Sequence, residues 1–423
     1  MKVLSLSLFF GLIVFNEAVS NTIIEVDVDK SSSATGGKVF QMNKLFSYRG
    51  DRMDFNNIEY FPEINLSNTC DKWVVITSIF EPTDTVKQLA MDREWCVVVV
   101  GDKNGPSEYD IEGVIYLTPE DQMNLPYKII DLLPWNHFGR KNVGYLYAVH
   151  HGATVIYDVD DDNSLINPEY GVPYTESVKA TSTFITGPGC HVHNPYGCFN
   201  GPQNVWPRGF PLESINDADC SVCESSEIGE NVKIGVIQSL ANHDPDVDAI
   251  YRLTYPPGGL PFDFDVSFQN TDTLKVVPTE AFTPYNAQAT LHFQSAFWGM
   301  LLPVTVHGRV SDIWRSYFTQ ALLPLTDSVV AFSPSWVHQF RNPHNYLADF
   351  QAELPLYERS GALVEFLELF RNESIFAGKN GTDLPSLIED LVISMYEHGI
   401  VERKDVKLTQ AWVMDLYSIG YTF

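Results

Sequence analysis

The chain has 423 residues, 44% hydrophobic and 19% charged, enough to bury a large core as one large domain with additions or as two domains. Lys and Arg total 27 against 54 Asp and Glu, a formal charge of −27. That field repels a polyanion and no Lys/Arg cluster offsets it, so nucleic acid is excluded as a partner.

The N-terminus carries Lys2, an apolar run over residues 3–15, and small residues Ala18 and Ser20 before Asn21. This predicts a secretory signal peptide over 1–20, with an uncleaved Golgi-type signal anchor as the alternative. The run is short for a membrane span of about 20 residues, and no later segment is long and apolar enough to be one. Residues 21–69 read as an extended lead-in. Sequons at Asn65, Asn372 and Asn380 predict glycosylation on a luminal route. Six cysteines, an even number, predict disulfides in an oxidising compartment. Cys70 and Cys96 precede and begin two strand-like runs and would meet at one sheet edge if those strands are parallel neighbours. Cys190, Cys198, Cys220 and Cys223 form a second cluster. With His191 and His193 nearby, a zinc or redox reading of Cys220-Ser221-Val222-Cys223 competes there with structural disulfides.

From Trp73 the pattern is β-α-β. Trp73-Val74-Val75-Ile76-Thr77 is a strand, Pro82-Thr83-Asp84-Thr85 starts a helix through Leu89, and residues 96–100 are a second strand. Such continuous apolar strands belong to parallel sheets covered on both faces. A short strand follows at 114–117. Gly139-Arg140-Lys141-Asn142 then opens a helix over 143–149, stopped by Gly152. This alternation argues a doubly wound α/β domain. Residues 180–290, rich in Pro, Gly, Asn and aromatics, show few clean periods. Ser311-Asp312 reads as the N-terminus of a helix over 313–323. The last ninety residues read as mostly helical, most clearly at 363–370 and 384–398.

The strand-like run Ala153-Thr154-Val155-Ile156-Tyr157 leads straight into Asp158-Val159-Asp160-Asp161-Asp162-Asn163. Carboxylates crowded at the carboxyl end of a strand in an open α/β sheet lie where ligands bind, and a hard divalent cation relieves their repulsion. Three readings compete. One is a solvated acidic loop. A second is a calcium loop with Asp158, Asp160 and Asp162 at positions 1, 3 and 5 and Glu169 at 12, opposed by Asn163 at position 6 and by Pro168. The third is an Asp-x-Asp site holding a divalent ion against the diphosphate of a nucleotide-sugar. Arg140 and Lys141, at a helix start just before the acidic strand, favour an anion and hence the third.

Further motifs are Asn194-Pro195-Tyr196, Trp206-Pro207-Arg208-Gly209-Phe210, Pro245-Asp246-Val247-Asp248, Asn286-Ala287-Gln288-Ala289-Thr290 and Gly308-Arg309-Val310-Ser311-Asp312. With the strands and the acidic motif, over residues 73–357, these resemble the STELLO family of glycosyltransferase-like proteins. The resemblance implies an α/β fold of the GT-A type and Golgi residence. The expected architecture is a doubly wound mixed sheet with helices on both faces over 70–330, then a mostly helical region over 331–423.

For a transferase the expected cofactor is Mn²⁺ or Mg²⁺, held by Asp160 and Asp162 with His307 as third ligand. Thr77, Asp102, Arg140, Lys141, Asp160 and Arg208 are the expected contacts of the donor, a UDP-sugar. Asp161 is expected to orient the sugar. Asp312 is the candidate base towards the glycan or glycoprotein acceptor, with Asp246 and Asp248 behind it. Trp206, Phe210, Trp298 and Trp314 are candidates for an acceptor platform. The alternatives are a catalytically inactive scaffold of the same fold and a secreted calcium-stabilised binding protein.

Overall fold

Four apolar runs build the first half of the sheet: β1 (Lys72–Thr77), β2 (Cys96–Val100), β3 (Val114–Leu117) and β4 (Val155–Asp158) pair in parallel in the order β3-β2-β1-β4. The computed structural model describes residues 44–423 apart from 56–57, 62–68, 175–181, 228–231, 257–258, 267–273 and 342–344. The expected leader at 1–20 and the sequon at Asn65 lie outside the described residues. Asn372 and Asn380 are exposed.

Successive strand side chains point to opposite faces, so β1 sends Trp73 and Val75 into one core and Val74 and Ile76 into another. Helix α1 (Asp84–Ala90) covers the second core through Val86 and Leu89, and Thr83 caps it by accepting from the Val86 N–H. After the short helix α2 (Pro119–Asn124), helix α3 (Lys141–His150) covers the first core. It sits so close to the sheet that a Cβ on Gly144 would come within 2.7 Å of the Val75 and Val100 side chains.

The sheet continues through β5 (Asn163–Leu165), β6 (Ser182–Phe184), β7 (Ser225–Glu227), β8 (Lys233–Asn242), β9 (Lys275–Val276), β10 (Thr290–Phe293) and β11 (Ser328–Gln339). Beyond β4 the order is β10-β8-β11-β9-β6-β7, with β5 also on β11, and the pairing becomes mixed at the antiparallel β4–β10 contact. The expected architecture, a mixed α/β sheet with helices and a helical C-terminus, is present.

Two boundaries differ from expectation. Helix α5 (Gly308–Leu322), which follows the one-turn helix α4 (Ala249–Arg252), starts before Ser311, so Asp312 lies inside it. The expected boundary at 330 falls inside β11, whose pairing with β8 shifts register around Ser333-Pro334-Ser335. The helical region thus begins beyond Gln339, with α6 (Tyr346–Ala352), α7 (Leu354–Phe376), α8 (Leu384–Glu397) and α9 (Arg403–Ser418). Buried carboxylates stitch it to loops and turns of the α/β part. Asp415 accepts from the Lys128 and Ile129 N–H groups at 2.9 and 3.0 Å, and Asp405 from that of Val304 at 2.7 Å. Residues 44–55 and 58–61 of the lead-in run along α8 and α9: the N–H groups of Leu45 and Phe46 reach the Glu397 carbonyl, and that of Phe61 the Ser418 carbonyl.

All six cysteines are paired. Cys70–Cys96 joins the starts of β1 and β2, and Cys190–Cys220 and Cys198–Cys223 tie the irregular middle. The zinc or redox reading of Cys220 and Cys223 therefore falls, and His193 instead stacks, fully buried, on Phe184.

Candidate functional site

Strand β4 ends between β1 and β10, with Asp158 opposite Val75 on one side and Thr290 on the other. The chain then leaves the sheet through Asp160-Asp161-Asp162 and re-enters as β5, where Asn163 pairs with Gln339. At the same edge, where β1 has β2 on one side and β4 on the other, opens a cleft of about 400 Å³. Its walls come from Thr77 and Ser78 after β1, Asp102 after β2, Asn136 to Arg140 before α3, and the three aspartates. This reversal of strand order is the usual ligand position in open α/β sheets.

Asp158 belongs to the interior. Lys141 Nζ lies 2.7 Å from Oδ1; on Oδ2 converge Arg315 Nη1 at 3.1 Å and the Tyr145 hydroxyl at 2.8 Å. Burial raises its pKa, but Lys141 and Arg315 outweigh burial and hold it below the ordinary carboxylate value. Lys141 also donates to the carbonyls of Val159 at 2.9 Å and Ala287 at 3.0 Å, and stands 3.3 Å from Asp160. Its three N–H donors are thereby spent inside the protein, so the expected diphosphate contact is corrected: Lys141 anchors the motif from below.

The three motif aspartates face different ways. Asp160 keeps a third of its side chain open. Burial, together with Asp162, Asp158 and Asp312, pushes its pKa up against the pull of Lys141. Asp161 accepts from the Ser78 hydroxyl, while its carbonyl accepts from Thr83 Oγ1 at 2.6 Å. Asp162 accepts from Asn163 Nδ2 at 2.8 Å and has Gln339 Nε2 at 3.4 Å from both oxygens. Burial and Asp161 raise its pKa against Arg341.

Among the described residues no three His, Cys, Asp or Glu side chains converge as a cation cage. His307 is corrected as a ligand: it caps α5, its Nδ1 accepting from the Arg309 N–H at 3.2 Å, and it does not line the cleft. The calcium-loop reading falls too, because Asn163 joins the sheet and Glu169 sits in a 3₁₀ turn. What remains, two crowded carboxylates beside an open cleft, fits a cation bound through one or two carboxylates and completed by substrate phosphates.

Arg140 lines the cleft from a rigid mount. Its Nε donates to Gln122 Oε1 at 2.9 Å, Nη2 donates to the same oxygen, and its Cζ lies 3.8 Å from the centre of the Trp135 ring. Gln122 in turn donates to the carbonyls of Gly101 and Leu117, both at 2.8 Å. Burial lowers the Arg140 pKa to about 10 against Asp102, and Nη1 has no hydrogen-bond partner among the described residues. Asp102 accepts from the N–H groups of Lys103, Asn136 and His137 at 2.7 to 3.1 Å, which fixes the loop before α3. Sequence reasoning passed over Gln122, Trp135 and Ser78. Only Gln122 carried a local signal, the Thr118–Asp121 capping box that starts its helix.

The remaining candidates lie deeper. Arg208 forms two hydrogen bonds to Asp246, at 2.8 and 2.9 Å, and two to Asp312, at 3.1 and 3.3 Å. Asp312 also accepts from the Ala287 N–H at 3.2 Å, so both of its oxygens are engaged. The expected base role of Asp312 and donor role of Arg208 are corrected to an internal ion-pair triad. Asp248 caps α4 and accepts from Trp206 Nε1 at 2.5 Å. Phe210, Trp298 and Trp314 are interior residues, 1%, 4% and 1% exposed, and form no platform.

The family model for STELLO glycosyltransferases matches residues 309–423. Two Arabidopsis thaliana proteins are similar over most of the chain. Probable glycosyltransferase STELLO1 is 33% identical over 361 residues, 83% of this chain and 45% of that protein. Probable glycosyltransferase STELLO2 is 33% identical over 363 residues, again 83% of this chain and 45% of the relative. The chain thus spans about half the length of these curated relatives.

Proposed function

Since the chain belongs to the STELLO family, we propose that its cleft binds the diphosphate of a nucleotide-sugar, a UDP-sugar, for transfer to a glycan or glycoprotein. The observation that carries this reading is the pair Asp160 and Asp162 beside a 400 Å³ cleft at the carboxyl ends of β1, β2 and β4. A Mn²⁺ or Mg²⁺ ion bound there supplies Lewis-acid neutralisation of the departing diphosphate. Arg140, the one candidate cation among the described residues that both lines the cleft and keeps an N–H unpaired, reaches the diphosphate. Asp161, oriented by Ser78, faces the sugar. In the transfer the acceptor oxygen bonds to the anomeric carbon as the bond to the diphosphate oxygen breaks, and the acceptor proton passes to a base. Three disulfides fit an oxidising compartment, which supports a site of action in the secretory pathway, in the Golgi lumen or outside the cell. No helix among the described residues is long and apolar enough to cross a membrane.

Calorimetry of UDP-sugar binding with Mn²⁺ tests the site. The wild type should bind, and the double variant Asp160→Ala, Asp162→Ala should not, while folding as before. Equal binding by both removes the assignment.

One observation favours a second reading, a catalytically inactive scaffold for other Golgi transferases. Arg208 neutralises Asp246 and Asp312, so neither is a free base. Metal-dependent hydrolysis of the nucleotide-sugar separates the two: turnover identifies an enzyme, binding without turnover the scaffold.

A further inference from the structure

We propose that Phe340, flanked by His243 and His338, is the acceptor platform of this site, on which a glycan stacks the C–H face of a pyranose ring. The inference rests on the donor reading above and adds the place of the second substrate.

Asp161 turns to Ser78 and the nucleotide cleft, whose wall includes the half-exposed Ile79 and Phe80. Asp162, which lines the same cleft, also meets the end of β11, where Gln339 reaches its carboxylate and the Phe340 N–H donates to its carbonyl at 3.4 Å. Phe340 is therefore the first residue beyond β11 and is bonded to one of the two candidate metal carboxylate residues.

A lone exposed aromatic residue is ordinary, but the setting of Phe340 is constructed. The residue is 58% exposed, with the His243 ring 4.7 Å and the His338 ring 6.0 Å from its own, centre to centre. His243 holds a left-handed backbone, φ 69°, which costs a residue with a side chain about 1–2 kcal/mol. Asp263 Oδ1 pins its N–H at 2.9 Å, and its own carbonyl accepts from the Leu260 N–H at 2.9 Å. The imidazole lies against Gly259, where a Cβ would come 2.9 Å from His243 Cε1 and make the ring shift. Such backbone strain concentrates at ligand-binding sites. Meanwhile Phe210, Trp298 and Trp314 are buried and Trp206 is bonded to Asp248, so none of the expected platform aromatics serves this edge.

The chemistry suits a carbohydrate. The negative face of an aromatic ring attracts the polarised C–H bonds of a pyranose, and imidazole ring nitrogens offer hydrogen bonds to its hydroxyls. The acceptor class is thus a glycan whose ring presents an unbroken C–H face, lying across Phe340 with its hydroxyl edge towards Asp162.

The test uses a printed oligosaccharide array, read with and without UDP and Mn²⁺, and calorimetry of UDP with Mn²⁺. The full chain is compared with Phe340→Ala and Phe340→Trp. The wild type and Phe340→Trp should retain a set of pyranose glycans, and Phe340→Ala should lose about tenfold in apparent affinity. UDP affinity should be the same in all three. A wild type that binds UDP but no glycan, a Phe340→Ala protein that binds glycans as the wild type does, or one that also loses UDP overturns the proposal. If the wild type binds no UDP, the donor reading fails, while the array still decides the role of Phe340.

Discussion

Asp158→Asn keeps the shape of the side chain at the end of β4 and deletes its charge. Lys141 Nζ lies 2.7 Å and Arg315 Nη1 3.1 Å from the carboxylate, and all three side chains are at most 1% exposed. At an effective dielectric constant of 20, Coulomb's law gives about 6 and about 5 kcal/mol for the two contacts, before the cost of taking the charges out of water. That cost offsets much of the attraction, yet it has already been met in the folded wild type. Removing one partner of a buried pair typically loses about 3–5 kcal/mol, because the other charge is stranded. Lys141 keeps Asp160 at 3.3 Å, so Arg315 is the stranded group. The expected loss is about 4 kcal/mol, read as a lower urea midpoint at unchanged slope. Combining Asp158→Asn with Lys141→Met removes a cation together with the anion and should cost less than the sum of the single changes. A loss below about 1 kcal/mol for Asp158→Asn would refute the view that this carboxylate is what holds two buried cations under the motif.

Two further outcomes are expected. Burial raises the Asp415 pKa from the ordinary carboxylate range to about 7, so the folded state favours its protonated form. The stability it contributes is complete below about pH 4 and disappears as pH rises through 7. Asp415→Asn should therefore gain on the wild type across that window in denaturant titrations, and a pH-independent difference would contradict the assignment. Arg140→Lys keeps the charge but loses the fork on Gln122 and the stacking on Trp135, so the UDP dissociation constant with Mn²⁺ should rise about tenfold; unchanged affinity would make Arg140 a purely structural residue.

The doubly wound half was legible because β1, β2 and β4 are unbroken apolar runs and Thr83 and Gly152 punctuate them, a local signal in each case. Helix α5 was misplaced by four residues because its cap is His307, while Ser311 and Asp312, which look like a start signal, spend their side chains on the Pro303 carbonyl and Arg208. No local signal marks the true boundary: β11 runs on through Ser333-Pro334-Ser335, absorbing it as an irregularity in its pairing with β8. At the site, the acidic motif and Arg140 were visible as charges at strand and helix ends. Which of them are free was not, since that depends on partners far along the chain: Arg315 meets Asp158 across 157 positions, and Arg208 meets Asp312 across 104. Phe340 lay hidden for the same reason, being an ordinary residue until β5 and β11 bring it beside Asp162.

Gly144 gives the cleft an adjustable floor. The helix that carries Lys141, and that continues from the turn holding Arg140, rests at Gly144 on Val75 and Val100 with no room for a methyl group. Any side chain at 144 would act as a shim, lifting the helix off the sheet and changing the distance between the Arg140 guanidinium and the aspartates without altering either. Substrate spacing in this fold can therefore drift through a residue that touches no ligand, and sequences that differ at this contact should be compared for cleft width before their charged residues are compared.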